Sequence, residues 1–300
     1  MIKASEMTPN LYNSLQLLIE STSSELPIDV AVAMDLAKKN EQEKSSAAYA
    51  LNIIEENRVL AKKYIAPLCQ DTGTISFYIN HPQHFDRTSF EKIAIDAVIL
   101  ATKKGVLRQN SVDSLSGLNS GDNIGLGHPG FYYEENQTGS LEIKLMLKGG
   151  GCENVGAQYS LPDISLDAGR DLVGVKKAVL DAVKNAQGKG CSPGILGVCI
   201  GGDRSTGYAH SKKQLLRFLN DENQIAELKK LEEEILADAN QLGIGAMGFG
   251  GKTTLLGVKI APLHRLPASY FVSVSYMCWA HRRQGIILDN DMNIKKWIYR

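Results

Sequence analysis

The sequence has no surplus of charge of either sign: 33 Lys plus Arg balance 33 Asp plus Glu over 300 residues, and the pI is about 7.0. A protein that works against phosphate carries a basic excess, so this balance argues against a nucleic-acid partner. No apolar run approaches the roughly 20 residues that cross a bilayer, and no basic-then-apolar leader opens the chain, so no membrane role is expected. The first arginine is Arg58, whereas a mitochondrial presequence is Arg-rich; the expected location is the cytoplasm. Cysteine is sparse and odd in number, with Cys69, Cys152, Cys191, Cys199 and Cys278 scattered over the whole length. That spacing excludes a disulfide framework and leaves buried thiols, metal ligands or reactive sulfurs. Pro- or Ser-rich linkers, internal repeats and low-complexity tracts are missing as well.

What is present is an ordinary globular balance, 43% apolar and 22% charged with 28 glycines, which excludes disorder and fibres. Length allows about two domains on a prior of roughly 150 residues each, but without a linker the expectation is one extended domain over 1–300. Within it, a helical N-terminal region, 1–64, packs on a body of sheet and helices, 65–300, in a mixed α+β fold.

Apolar spacing predicts helices through Leu11, Leu15 and Leu18 and through Ala48, Leu51 and Ile54, with Pro27 opening a helix between them. Strands are predicted at Ile75–Ile79, Leu141–Lys148, Ile195–Ile200, Leu255–Ile260 and Tyr270–Met277. Helices are predicted at Phe90–Lys103, Leu172–Ala186 and Asn223–Leu242, the last with a stripe of Ile225, Leu228, Leu231, Ile235 and Leu242 and a cap at Gly243. Polar or glycine-rich turns recur at the strand ends, near 69–73, 149–156, 188–194, 201–207 and 243–254, where backbone can approach a ligand closely.

Several motifs have plainer explanations. Gly243–Gly248 fits GxGxxG, but a helix precedes it where the dinucleotide fingerprint needs a strand. Gly251-Lys252-Thr253 misses the P-loop pattern because Ala246 stands at its first glycine. The loop still suits a carboxylate, held by backbone N–H groups and the Lys252 ammonium. His81 and His84 have no third partner for zinc. Cys199 sits inside an apolar strand as a buried thiol. Cys69, Cys191 and Cys278 each stand at an element end beside polar residues. Three thiolates from separate loops suffice for three irons of a 4Fe–4S cluster with the fourth iron open, although no close CxxC pair marks such a site.

Six ordered segments carry a resemblance: PLCQDTG at 67–73, VLRQNSVD at 106–113, KGGGCEN at 148–154, GKGCSPGILGVCIGG at 188–202, LGIGAMGFGGKTTLLGVKI at 242–260 and MCWAHRR at 277–283. In that order they resemble the alpha subunit of class I iron–sulfur fumarate hydratases and of the related L-tartrate dehydratases. The resemblance implies a 4Fe–4S cluster ligated by Cys69, Cys191 and Cys278. It places substrate contacts at Gln70, Asp71, Arg108 and Gly151, to which neighbouring Gly150 and the loop residue Lys252 are added here. Asp71 would accept or relay a proton, or orient a water or partner residue that does; its plainer reading is a turn or capping aspartate. Relatives with RHPAS carry an active-site histidine where this chain has Leu266.

Single-chain members add a C-terminal domain with further substrate-binding residues. The expectation is therefore a hydro-lyase subunit that hydrates fumarate to L-malate, takes a small dicarboxylate, needs a separate beta subunit, and assembles as a homo- or hetero-oligomer. The alternatives are an L-tartrate dehydratase alpha subunit, a redox iron–sulfur protein, or a non-catalytic assembly partner.

Overall fold

The computed structural model describes residues 4–300. In chain order it contains α1 (Ala4–Ser24), α2 (Ile28–Asn40), α3 (Ser46–Tyr64), β1 (Thr74–His81), α4 (Arg87–Lys103), β2 (Gly130–Glu135), β3 (Leu141–Lys148), α5 (Gly150–Asn154), β4 (Ala157–Ser160), α6 (Leu172–Ala186), β5 (Gly194–Ile200), α7 (Arg204–Gln214), α8 (Ala226–Gln241), β6 (Leu255–Pro262), β7 (Phe271–Met277), β8 (Arg282–Leu288) and β9 (Ile294–Trp297). Helices and mixed sheets make it an α+β fold. No described helix is long and apolar enough to cross a membrane. The described chain forms two compact units, one of residues 4–28, 56–149 and 282–300, the other of 29–55 and 150–281.

The first unit is built on a five-stranded sheet of order β2-β1-β3-β8-β9. Alternation in β1 and β3 sends Ile75, Phe77, Ile79, Ile143, Leu145 and Leu147 to one face, where Leu15 and Leu18 of α1 and Ala94, Ala97 and Val98 of α4 bury them. The small residues of α4 let the helix lie close to the sheet. Asp86 starts that helix, its carboxylate accepting from the Ser89 N–H at 3.0 Å.

The second unit carries a four-stranded sheet of order β4-β7-β5-β6. Strand β5 is buried along its whole length because both faces are covered. Leu196 and Val198 join Val175, Val179, Leu231 and Ile235 of α6 and α8. On the other face Gly197 meets α7, where an added Cβ would strike the Ser211 carbonyl. Helix α8 begins three residues later than its sequence pattern suggests, and Ile225 and Leu242, expected in the buried stripe, are 42% and 43% exposed.

Two elements escape a hydrophobic reading for physical reasons. Helix α7 is almost entirely polar and packs through Gly207 and Ser211; Asp203 and Thr206 form its capping box. Its start is held by amide and hydroxyl bonds, chiefly from Thr206, which keep the Asp203 carboxyl down at about 2. Strand β8 opens with Arg282, Arg283 and Gln284, all fully buried, where side chains of that kind read as surface.

A buried ionic cluster braces the second unit. Glu232 Oε1 accepts from Arg217 Nη1 at 2.9 Å, Asn223 Nδ2 at 2.8 Å and the Ile260 N–H at 2.6 Å, while Lys259 pairs with Asp221 at 2.6 Å. Removing Glu232 leaves the Ile260 N–H without its acceptor and takes one bond each from Arg217 and Asn223, which keep the Ile260 carbonyl. Glu232→Ala is expected to cost about 2–4 kcal/mol, read from urea unfolding; a loss under about 0.5 kcal/mol would refute this role.

Candidate functional site

In the first unit, β1 runs antiparallel to β3, and β3 antiparallel to β8, pairing Thr74 with Lys148 and Leu147 with Arg282. The start of β1, the end of β3 and the start of β8 therefore lie at one end of the sheet. The turn 69–73 enters there. Gly73 has φ +74 and its Cα abuts the Lys148 carbonyl, so a side chain at 73 would meet both strain and collision. Asp71 is held on several sides. Its Oδ1 accepts from Asn110 Nδ2 at 2.7 Å, its backbone carbonyl accepts from Arg282 Nη2 at 2.7 Å, and its Oδ2 lies where Gly149 leaves room, 2.9 Å from the position of a Cβ there. The Asp71 N–H donates to Cys69 Sγ at 3.5 Å. The backbone at Arg108 is fixed as well: its N–H donates to Thr72 Oγ1 at 2.7 Å, and its carbonyl accepts from Asn123 Nδ2 at 2.8 Å. The Arg108 side chain stands exposed, as does Gln70. Arg282 is fully buried, and its Nε and Nη1 have no hydrogen-bond partner.

In the second unit the pairings Gly194 with Leu255 and Ile195 with Met277 bring Cys191, the loop before β6 and Cys278 to one end of the sheet. Cys191 has left-handed backbone, φ +53, after a short 3-10 turn. Its carbonyl accepts the Trp279 N–H at 3.2 Å, which ties it to the segment carrying Cys278. Tyr276 lies beneath. Its ring packs against Gly190 and Gly194, both places where a Cβ would overlap it. Burial first, and then the neighbouring sulfurs of Cys278, Cys152 and Cys191, push the Tyr276 phenol above its ordinary range. Gly150 and Gly151 are exposed at the start of α5, Gly151 beside the Lys189 carbonyl. Lys252 is exposed, but the loop's amides are engaged: Lys252 and Thr253 donate to Glu41, and Thr254 and Leu255 to Asn240 Oδ1.

Cys69, Gln70, Asp71 and Arg108 thus belong to the first unit, and Cys191, Cys278, Gly150, Gly151 and Lys252 to the second. Among the described residues no group of three His, Cys, Asp or Glu side chains is positioned to hold a metal ion. One observation fits a sulfur-rich group nonetheless. The buried Tyr276 hydroxyl has no partner and lies within electrostatic reach of Cys278, Cys152 and Cys191, and a buried donor of that kind calls for an acceptor. Asn110, Asn123, Tyr276 and Glu41 are site neighbours that the sequence reading did not single out. Asn110 lay within a quoted motif, whereas Glu41, in the turn between two helices, gave no signal. His81 is not available to zinc: Nδ1 pairs with the Pro82 carbonyl at 2.8 Å and Nε2 with Arg87 at 3.1 Å.

Burial pushes the Cys199 thiol up to about 12, so at pH 8 only about one molecule in ten thousand carries the thiolate. Alkylation of the native chain at pH 8, mapped by mass spectrometry, is expected to modify the half-buried Cys69 and Cys191 and to spare Cys199. Labelling of Cys199 at a comparable rate would contradict its burial.

A family model described as fumarate hydratase (Fumerase) matches residues 12–287. A protein of Geobacillus stearothermophilus named as a class I fumarate hydratase is 50% identical over 295 residues; the match covers 97% of this chain and 57% of that protein, so the chain spans little more than half of its relative. A protein of Methanocaldococcus jannaschii named as an L(+)-tartrate dehydratase alpha subunit is 36% identical over 86% of this chain and 90% of its own. The L(+)-tartrate dehydratase alpha subunit of Escherichia coli K12 is 29% identical over 91% of this chain and 89% of its own.

Proposed function

The chain belongs to the fumarate hydratase (Fumerase) family, and from that membership we propose that it is the alpha subunit of a cytoplasmic iron–sulfur hydro-lyase that adds water reversibly to fumarate, giving L-malate. The observation that carries the reading is the fixed carboxylate of Asp71, two residues from Cys69: Asn110 holds its Oδ1, Gly149 leaves room for its Oδ2, and Arg282 holds the backbone carbonyl of the same residue. A 4Fe–4S cluster on Cys69, Cys191 and Cys278 would supply Lewis acidity for the leaving hydroxyl at an iron without a protein ligand.

The remaining work falls to side chains and backbone of this protein. The reaction removes a weakly acidic proton beside a carboxylate while hydroxide leaves the neighbouring carbon. With Oδ1 of Asp71 engaged by Asn110, the carboxylate is oriented before substrate arrives, as a group that holds or moves a proton must be. The Arg108 guanidinium is free of any fold-building role, because its backbone alone anchors the loop; it suits bidentate capture of one substrate carboxylate. Gln70, the exposed backbone at Gly150 and Gly151, and the Lys252 ammonium add donors for a dianion.

The names of the M. jannaschii and E. coli relatives, both alpha subunits, support a separate beta subunit that completes the site. They also support the alternative substrate, L-tartrate, within the same reaction type. The chain purified anaerobically with its beta subunit, after iron and sulfide reconstitution, is expected to consume fumarate faster than tartrate. Cys69→Ser, Cys191→Ser and Cys278→Ser should each lose colour and turnover. Arg108→Lys should raise KM about tenfold or more, the loss of about 1.4 kcal/mol of bidentate binding. A colourless wild type, indifferent to its cysteines, would sink the reading; tartrate turnover alone would move it to the alternative.

A further inference from the structure

The glycine-rich loop 250–254 has the form of an anion-binding nest, and the chain fills it with a carboxylate of its own. Glu41, only 8% exposed, places Oε1 2.7 Å from the Lys252 nitrogen and 3.0 Å from the Thr253 nitrogen, and accepts both hydrogen bonds. Gly251, at φ +126, makes the approach possible: a Cβ there would sit 2.7 Å from Ala47 Cβ and 2.9 Å from Glu41 Oε2. The next two amides are closed by Asn240. Four successive N–H groups thus converge on two side chains, and 211 residues separate Glu41 from the loop it holds. Converging amides with a buried carboxylate form a strong charge-assisted contact.

We propose that Glu41 is the positioning residue of this loop: an internal carboxylate that occupies the nest, closes it to external anions, and leaves the exposed Lys252 ammonium as the loop's one substrate-facing cation. The proposal rests on the hydro-lyase reading for the role of Lys252; the occupied nest stands apart from it.

Excising the carboxylate should turn the nest into a site for a small one. In Glu41→Ala, sodium acetate is expected to raise the thermal midpoint saturably and to slow hydrogen exchange at the Lys252 and Thr253 amides, compared with sodium chloride at equal ionic strength. Wild type should show neither effect. With the beta subunit, Glu41→Ala should raise KM for the dicarboxylate about tenfold while kcat stays within about threefold, and acetate should lower KM again. Lys252→Met should raise KM in the same way, with no recovery in acetate. Acetate acting no differently from chloride on Glu41→Ala overturns the proposal at the loop, and an unchanged KM in Lys252→Met overturns it at the substrate. If Glu41→Ala does not fold, Glu41→Gln keeps the volume and loses the charge; exchange at the two amides should then be about tenfold faster than in wild type, and equal rates overturn the proposal. A wild type inactive on every dicarboxylate would instead defeat the hydro-lyase reading while the acetate measurement still reports on the nest.

Discussion

At φ +74 the backbone of Gly73 runs against the Lys148 carbonyl, closer than any residue with a Cβ permits. That approach sets where the 69–73 turn joins the sheet, and the positions of Cys69 and Asp71 follow from it. Register does the rest: antiparallel pairing of β1 with β3 and of β3 with β8 fixes which residues reach that end of the sheet, and a slip of one residue would turn Asp71's neighbours to the opposite face. Arg282 then arrives at the height of Leu147 and reaches the Asp71 carbonyl.

The second unit reaches a similar result by different means. There a large rigid ring, Tyr276, lies under a loop thinned to glycine at 190 and 194, and one backbone bond between Cys191 and Trp279 ties the two cysteine-bearing segments. In both units the candidate residues are held mainly by backbone and by neighbouring side chains, with the Asp71 N–H bond to Cys69 Sγ as a contact between two of them, the arrangement expected where a site is shaped before its ligand arrives.

Sequence pattern revealed those elements that bury an apolar face. The stripes of α1 and α4 and the alternation of β1, β3 and β7 follow directly from periods of 3.6 and 2. It revealed less where packing depends on small or charged residues: α7 docks through glycine and serine, and β8 buries two arginines and a glutamine in mid-sheet. Among the candidate site residues, Cys69 stood out by its place at an element end beside polar residues, whereas Asp71 and Arg108 came from the resemblance that their segments carry. Glu41 did not, since its partners are backbone amides, which have no letter in a sequence, and they lie 211 positions away. Gly251 was visible as the glycine of a near P-loop suited to a carboxylate, but not as the residue whose lack of a Cβ admits one from the chain itself.

The left-handed backbone of Cys191 bears on how such a chain can change over time. A residue with a Cβ at φ +53 carries a standing cost on the order of 1 kcal/mol that glycine escapes. The fold alone therefore favours replacing this cysteine by glycine, and only the sulfur argues against it. Under the cluster role proposed for Cys191, selection for thermal robustness and selection for the thiol pull this position in opposite directions, so a lineage released from the need for that sulfur would gain stability by losing it.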